Sequence, residues 1–154
     1  PLAFFEGHAN GDKTYTNGAD RDAVVAPKFR ETLFDLLGGV RELNFGMLGW
    51  GDTEAEALAV VLPLCGQLTQ LTLARNGIGE AGAAALARAC AAGALPNLEK
   101  LGLGVNKIGD EGVKALAAAN AGGALPNLWW LNLSGNPASD AAKQEAEDAI
   151  KNRN

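Results

Sequence analysis

Hydrophobic positions recur in register along this chain. Leu68, Leu98 and Leu128 are thirty residues apart, as are Leu71, Leu101 and Leu131, and Leu73, Leu103 and Leu133. A polar position keeps the same step at Asn76, Asn106 and Asn136. The segment Gly93-Ala-Leu-Pro-Asn97 returns as Gly123-Ala-Leu-Pro-Asn127. An earlier copy precedes these at a spacing of 28, with Val40, Leu43 and Phe45 at its first apolar places. In that copy Trp50 takes the place of Ile78, and Leu58 that of Leu86. Self-similarity at a fixed period of this length marks a stacked repeat architecture.

Each unit changes period half-way. Leu71-Thr-Leu73 and Leu101-Gly-Leu103 alternate, which predicts a short strand with one buried face. Residues 110–120 then show helical spacing, with Val113, Leu116 and Ala117 on one face and Lys114 opposite. Gly122 and Gly123 end that helix. Pro126 forces an extended lead into the next strand, because the residue before a proline is pushed out of the helical region. Strand, turn, helix and turn, repeated, predict parallel strands joined by right-handed helical crossovers. Each unit buries about five large apolar side chains, worth roughly 1.5–3 kcal/mol apiece before conformational entropy is charged.

The run Leu-x-x-Leu-x-Leu-x-x-Asn-x-Ile-Gly, followed by a Gly and then Ala-Leu-Ala, resembles the leucine-rich repeat. The long helical half is similar to the ribonuclease-inhibitor-like variant. The resemblance covers residues 40–138, and 27–39 and 139–151 look like helical ends. It implies an α/β fold: a short right-handed solenoid with parallel strands on the concave face and helices on the convex face. Repeats start near 40, 68, 98 and 128. Two departures, Leu48 in place of the Asn and Ala138 in place of the Ile, suggest terminal units.

The Asn76, Asn106 and Asn136 amides are expected to form a ladder that satisfies backbone groups where the chain leaves each strand. That ladder should fail at Leu48, leaving the first turn looser. Residues between the core leucines should point to the concave face in columns. One column is Glu42, Gln70, Lys100 and Trp130; the next is Asn44, Thr72, Gly102 and Asn132. A third is all small: Gly46, Ala74, Gly104 and Ser134. A fourth is Met47, Arg75, Val105 and Gly135. These columns are read as a protein-binding floor, weighed against plain solvent exposure. Trp129 and Trp130 occupy no leucine position, so they are expected at the last strand, either as binding anchors or as a cap on its edge. Trp50, at a core Ile position, is expected in the core.

Composition sharpens this picture. Of 154 residues, 29 are Ala, 22 Leu and 20 Gly, with two Ser and one His. Leu goes to the core, Ala to the helices and Gly to the turns. Most hydrolytic chemistry lacks its side chains, and no His/Cys pair has metal-ligand spacing. No enzymatic activity, cofactor or metal is therefore expected. The net charge of −5 argues against a nucleic-acid partner. The longest apolar run, residues 57–65, falls short of the roughly 18–20 residues of a membrane helix, so no membrane insertion is expected. Cys65 and Cys90 are either free thiols or a bridge that sequence cannot decide.

Residues 1–26 break the repeat and read as an extended arm, with Leu2, Phe4 and Phe5 as its anchors, on the solenoid itself or on another chain. Pro27 opens a capping helix over 27–39, with Phe29, Leu33, Leu36 and Leu37 as its apolar stripe. Ser139 caps a final helix over 139–151. The sequence begins at Pro1 without an initiator Met and shows nothing like a signal or transit peptide. Processing of a precursor, or a fragment, is the expectation, with an intracellular setting in cytoplasm or organelle. The function expected is non-enzymatic protein binding through the concave face and the Trp pair. The alternative is an accessory structural subunit of a larger complex (organellar, photosynthetic or respiratory), peripheral on it and held by the arm.

Overall fold

The computed structural model describes residue 32 and residues 35–151. By internal packing, Phe34–Asn154 form one compact unit, and all four strands lie within it. The arm anchors Leu2, Phe4 and Phe5 lie outside the described residues, as do most of the positions expected in the first capping helix. Of its apolar stripe, Leu37 is half-buried against the core and Leu36 is exposed.

From Glu42 onward, four three-residue strands alternate with four helices. They are β1 (Glu42–Asn44), α1 (Asp52–Val61), β2 (Gln70–Thr72), α2 (Glu80–Ala91), β3 (Lys100–Gly102), α3 (Asp110–Ala121), β4 (Trp130–Asn132) and α4 (Asp140–Lys151). A single 3-10 turn, Leu62–Leu64, follows α1 and carries Pro63 at its start. The strands form one parallel sheet in chain order. Its register sets Leu43 beside Leu71, Leu71 beside Leu101, and Leu101 beside Leu131. The unit is thus an α/β solenoid, with strands on one face and helices on the other.

The core is a continuous stack. Leu68, Leu73, Leu98, Leu103, Ile78 and Ile108 are wholly buried, and Leu71, Leu95, Leu125, Leu128 and Leu133 nearly so. Burial fades at the two end strands, where Leu43 and Leu131 are half-buried. Trp50 is also half-buried, short of its expected core position. Its ring stacks on Phe45 at a centroid distance of 4.7 Å and an interplanar angle of 27°.

Two polar ladders tie successive units together. In the first, the Asn106 amide donates to Leu73 O and Leu103 O, both at 3.0 Å, and its oxygen accepts from Ile78 N–H at 3.1 Å. Asn136 repeats this with Leu103 O, Leu133 O and Ile108 N–H. Each Asn therefore closes its own strand exit and the turn of the preceding unit. Asn76 does the same for the first turn: it donates to Phe45 O and Leu73 O and accepts from Leu48 N–H and Trp50 N–H. The turn at Leu48 is consequently held, rather than loosened, because its partner amide comes from the next unit. What Leu48 lacks is an amide to offer backward.

The second ladder runs through the helix starts. The cap positions before α1, α2 and α3 are Gly51, Gly79 and Gly109, which carry no side chain to satisfy the first amides. For the later helices the preceding unit supplies the missing acceptor. Asp52 Oδ1 accepts from Gly79 N–H at 2.7 Å and Gly82 N–H at 2.9 Å. Asp110 accepts from Ser139 N–H at 2.6 Å and from its hydroxyl at 3.0 Å. Ser139 Oγ in turn accepts from Ala142 N–H at 3.3 Å, capping α4. Glu80 sits against Gly109 and Gly112 at the corresponding place in the next unit, by proximity rather than through hydrogen bonds. A Cβ on Gly82 would lie 2.7 Å from Asp52 Oδ1 and 2.9 Å from Ala55 Cβ, so glycine there lets the carboxylate reach the helix start.

These ladders set measurable expectations. Asn106→Ala strands the buried Ile78 N–H and takes one of two amide donors from each of the Leu73 and Leu103 carbonyls, which keep Asn76 and Asn136, and should cost about 2 kcal/mol in urea unfolding. Asn106→Asp should fare no better, since a carboxylate accepts from Ile78 but donates to neither carbonyl. The Ser139 N–H and hydroxyl hold the Asp110 carboxyl below its ordinary value. The unfolded chain then binds that proton first as the pH falls. The contribution is present above the ordinary carboxylate range, near pH 4, and is lost as the pH drops through the lowered folded value. Asp110→Asn should therefore lower the thermal midpoint at pH 7 and differ little from the parent near pH 2.

Candidate functional site

The pleat puts the residues between the buried leucines on the open sheet face. The strand register aligns Glu42, Gln70, Lys100 and Trp130 as one column and Asn44, Thr72, Gly102 and Asn132 as the next. Neighbouring strands stand about 4.8 Å apart, so each column spans about 14 Å.

Charge and hydrogen-bonding capacity are uneven on this floor. Glu42 at one end is exposed, and Lys100 is half-buried toward the other. Among the described residues, the ion pairs are Lys114–Glu111, Lys143–Asp140, and Lys151 with Glu147 and Asp148, all on helices. The charges of the sheet face thus stay unneutralised there. Asn44 Oδ1 accepts from Gly46 N–H at 3.0 Å. Asn132 Oδ1 accepts from Ser134 N–H and Oγ at 3.0 and 2.7 Å. Both side chains use their oxygens locally and leave their NH₂ groups as donors. The floor is therefore donor-rich, with Glu42 as its acceptor end.

The two tryptophans close the opposite end. Trp129 is 55% exposed and Trp130 41%. Each meets a residue of β3. Lys100 Nζ lies 5.2 Å from the Trp129 ring centroid, a cation–π contact. The Trp130 ring edge lies 3.6 Å from where a Cβ of Gly102 would stand, and Gly102 is buried beneath it. Absence of a side chain at Gly102 lets the indole lie low across the sheet.

The rim where the strands end is distinctive in its backbone. Met47, Arg75 and Val105 have φ of 58°, 58° and 57°, and Gly135, at the same place in the last unit, has 70°. This is left-handed conformation, which costs a non-glycine residue roughly 1–2 kcal/mol, and more when it is β-branched. Met47 and Val105 are nonetheless 72% and 51% exposed, flanking exposed Arg75. The sequence suggested this column by its place in the repeat; its backbone conformation was signalled only by the glycine at position 135.

Other chemistry is sparse. Cys65 and Cys90 are free and buried. Burial raises both thiols, Cys90 to about 11, so neither is a thiolate at neutral pH. No group of three His, Cys, Asp or Glu among the described residues is placed to hold a metal ion. No helix among them is long and apolar enough to cross a membrane. The carboxylate ladder of Asp52, Glu80 and Asp110 was missed as a linked feature in sequence. Its signal was an acidic residue one repeat apart at each helix start.

A family model described as Leucine Rich repeat matches residues 68–87 and 94–117, within the second and third units. A comparison with curated protein sequences finds no match. Among solved structures, the chain is similar to one named Leiomodin-1 Actin-Binding Site 2, with a TM-score of 0.65 and 17% identity. The likeness covers 80% of this chain and 70% of that one. At this identity the likeness concerns the fold, and with the family match it identifies the architecture as a leucine-rich-repeat solenoid.

Val105 stands out among the rim residues, since its branched side chain suits the left-handed region least. Val105→Asn should stabilise the protein by about 1 kcal/mol, because Asn accepts this conformation without the added flexibility of Gly. Urea denaturation of the two proteins checks it.

Proposed function

We propose that this protein is a non-enzymatic protein–protein interaction module that binds through its sheet face and the Trp129–Trp130 pair. One observation carries the reading: two exposed indoles stand at the end strand of a sheet face that bears Glu42 and Lys100 and, in one column, only small residues. Exposed Trp on an ordered scaffold is the composition of interface hot spots. The floor residues Glu42, Asn44, Gln70, Thr72, Lys100 and Asn132 would supply polar contacts around it, and Met47, Arg75 and Val105 the rim. A similar fold in a structure named as an actin-binding site supports a protein as the partner class. The units of 28–30 residues, each with a full helix on the outer face, favour the ribonuclease-inhibitor-like kind of repeat.

The test is site-directed photo-crosslinking in an extract of the source cells. A photoreactive side chain at position 100 on the sheet face is compared with one at Ala118 on the helical face. A specific adduct from position 100 alone is expected. For the protein so captured, Trp130→Ala should weaken binding at least tenfold. Adducts from the helical face alone, or undiminished affinity of the Trp130→Ala protein, would overturn the reading.

A further inference from the structure

The spacing and charge order of the sheet face narrow the partner's form. Resting on the proposed function, we infer that the face receives an α-helix of the partner, laid across the four strands. An α-helix rises 1.5 Å per residue, so residues i, i+3, i+7 and i+10 stand at about 0, 4.5, 10.5 and 15 Å along its axis. The four strands stand at about 0, 4.8, 9.6 and 14.4 Å, so one helical face meets every strand within about 1 Å. An extended segment presents one face every ~6.7 Å and falls out of step by the second strand. A polyproline helix repeats every ~9.3 Å and meets only alternate strands. Beside the charged column the floor is Asn44, Thr72, Gly102 and Asn132, and beyond it stand only the small residues Gly46, Ala74, Gly104 and Ser134, which leave room for a helix.

Charge fixes its direction. Exposed Glu42 on β1 calls for a basic side chain. Lys100 on β3 calls for a carboxylate, with the Asn132 amide donor on the neighbouring strand β4. The exposed face of Trp130 on β4 calls for an apolar group. The partner helix thus reads basic, polar, acidic, apolar from β1 to β4. An interface whose charges oppose in one direction and repel in the other selects orientation as well as partner.

The probe is a stapled, alanine-based helical peptide of about four turns. It carries Arg, Ser, Glu and Leu at positions i, i+3, i+7 and i+10. A second peptide exchanges the Arg and the Glu. Binding is followed by the backbone and indole NMR signals of the full chain. The first peptide should shift the Trp130 indole and the Gly102 amide, and bind about fivefold or more tighter than the second. In the paired Glu42→Lys, Lys100→Glu protein the preference should invert. No preference in either protein, with the sheet signals still shifting, would overturn the helix register and leave the sheet-face reading standing. An extended proline-containing peptide of the same order binding as tightly would overturn the helical form. Shifts confined to α2 and α3 would overturn both readings.

Discussion

A buried asparagine that serves two units at once is the constraint on which the rest of the fold depends. A strand of three residues makes too few ladder bonds to hold itself, and the chain must turn sharply after it. At that turn the carbonyls of Leu73 and Leu103 and the N–H groups of Ile78 and Ile108 lie inside the stack. Left without partners, each would cost about 1–3 kcal/mol, comparable to what one buried leucine returns. The Asn106 and Asn136 amides satisfy them together. Only a side chain with an acceptor and two donors at that reach can do so, which is why Asn, and no apolar residue, holds a nearly sealed position.

The carboxylates at the helix starts apply the same economy on the outer face. A cap residue with its own side chain would stand between neighbouring helices. Gly79 and Gly109 remove it, and Asp52 and Glu80 reach across from the unit before. The helices approach closely there, and their small residues, Ala55, Ala83 and Ala87 among them, are buried in the contact. Both ladders therefore couple unit to unit. Stability in such an array is a sum of weak units and strong interfaces, so melting one turn exposes the polar groups of its neighbour.

Much of this was legible in the chain. The leucine register gave strand order and the aligned columns, because a period of thirty residues leaves no freedom in which residues stack. The Pro and Gly residues after each helix gave the turns. Other features depend on facing partners and were hidden. The direction of the Asn ladder was one: Leu48 suggested a loose first turn, whereas the acceptor comes from Asn76, 28 residues on. Half-burial of Trp50 was another, since a position in a repeat says nothing of how well an end unit is covered. The approach of Trp130 to Gly102 was a third; sequence put both in adjacent columns without showing that they meet.

Because each Asn reaches back and each helix-start carboxylate reaches forward, the solenoid has a grammar of succession. An interior unit must bring an amide for its predecessor and a carboxylate for its successor. The units of β2 and β3 bring both. The unit of β1 brings Asp52 but, with Leu48, no amide to give. The unit of β4 brings Asn136, and its own acid, Asp140, is fully exposed on the last described helix. Duplication of a thirty-residue stretch from the middle of the array would create a unit with every obligation met on both sides. The stretch of the β1 unit would not, because Leu48 brings no amide for a predecessor. A gene lengthening by repeat duplication would thus be free to copy any unit that brings its own amide, and barred from copying the first.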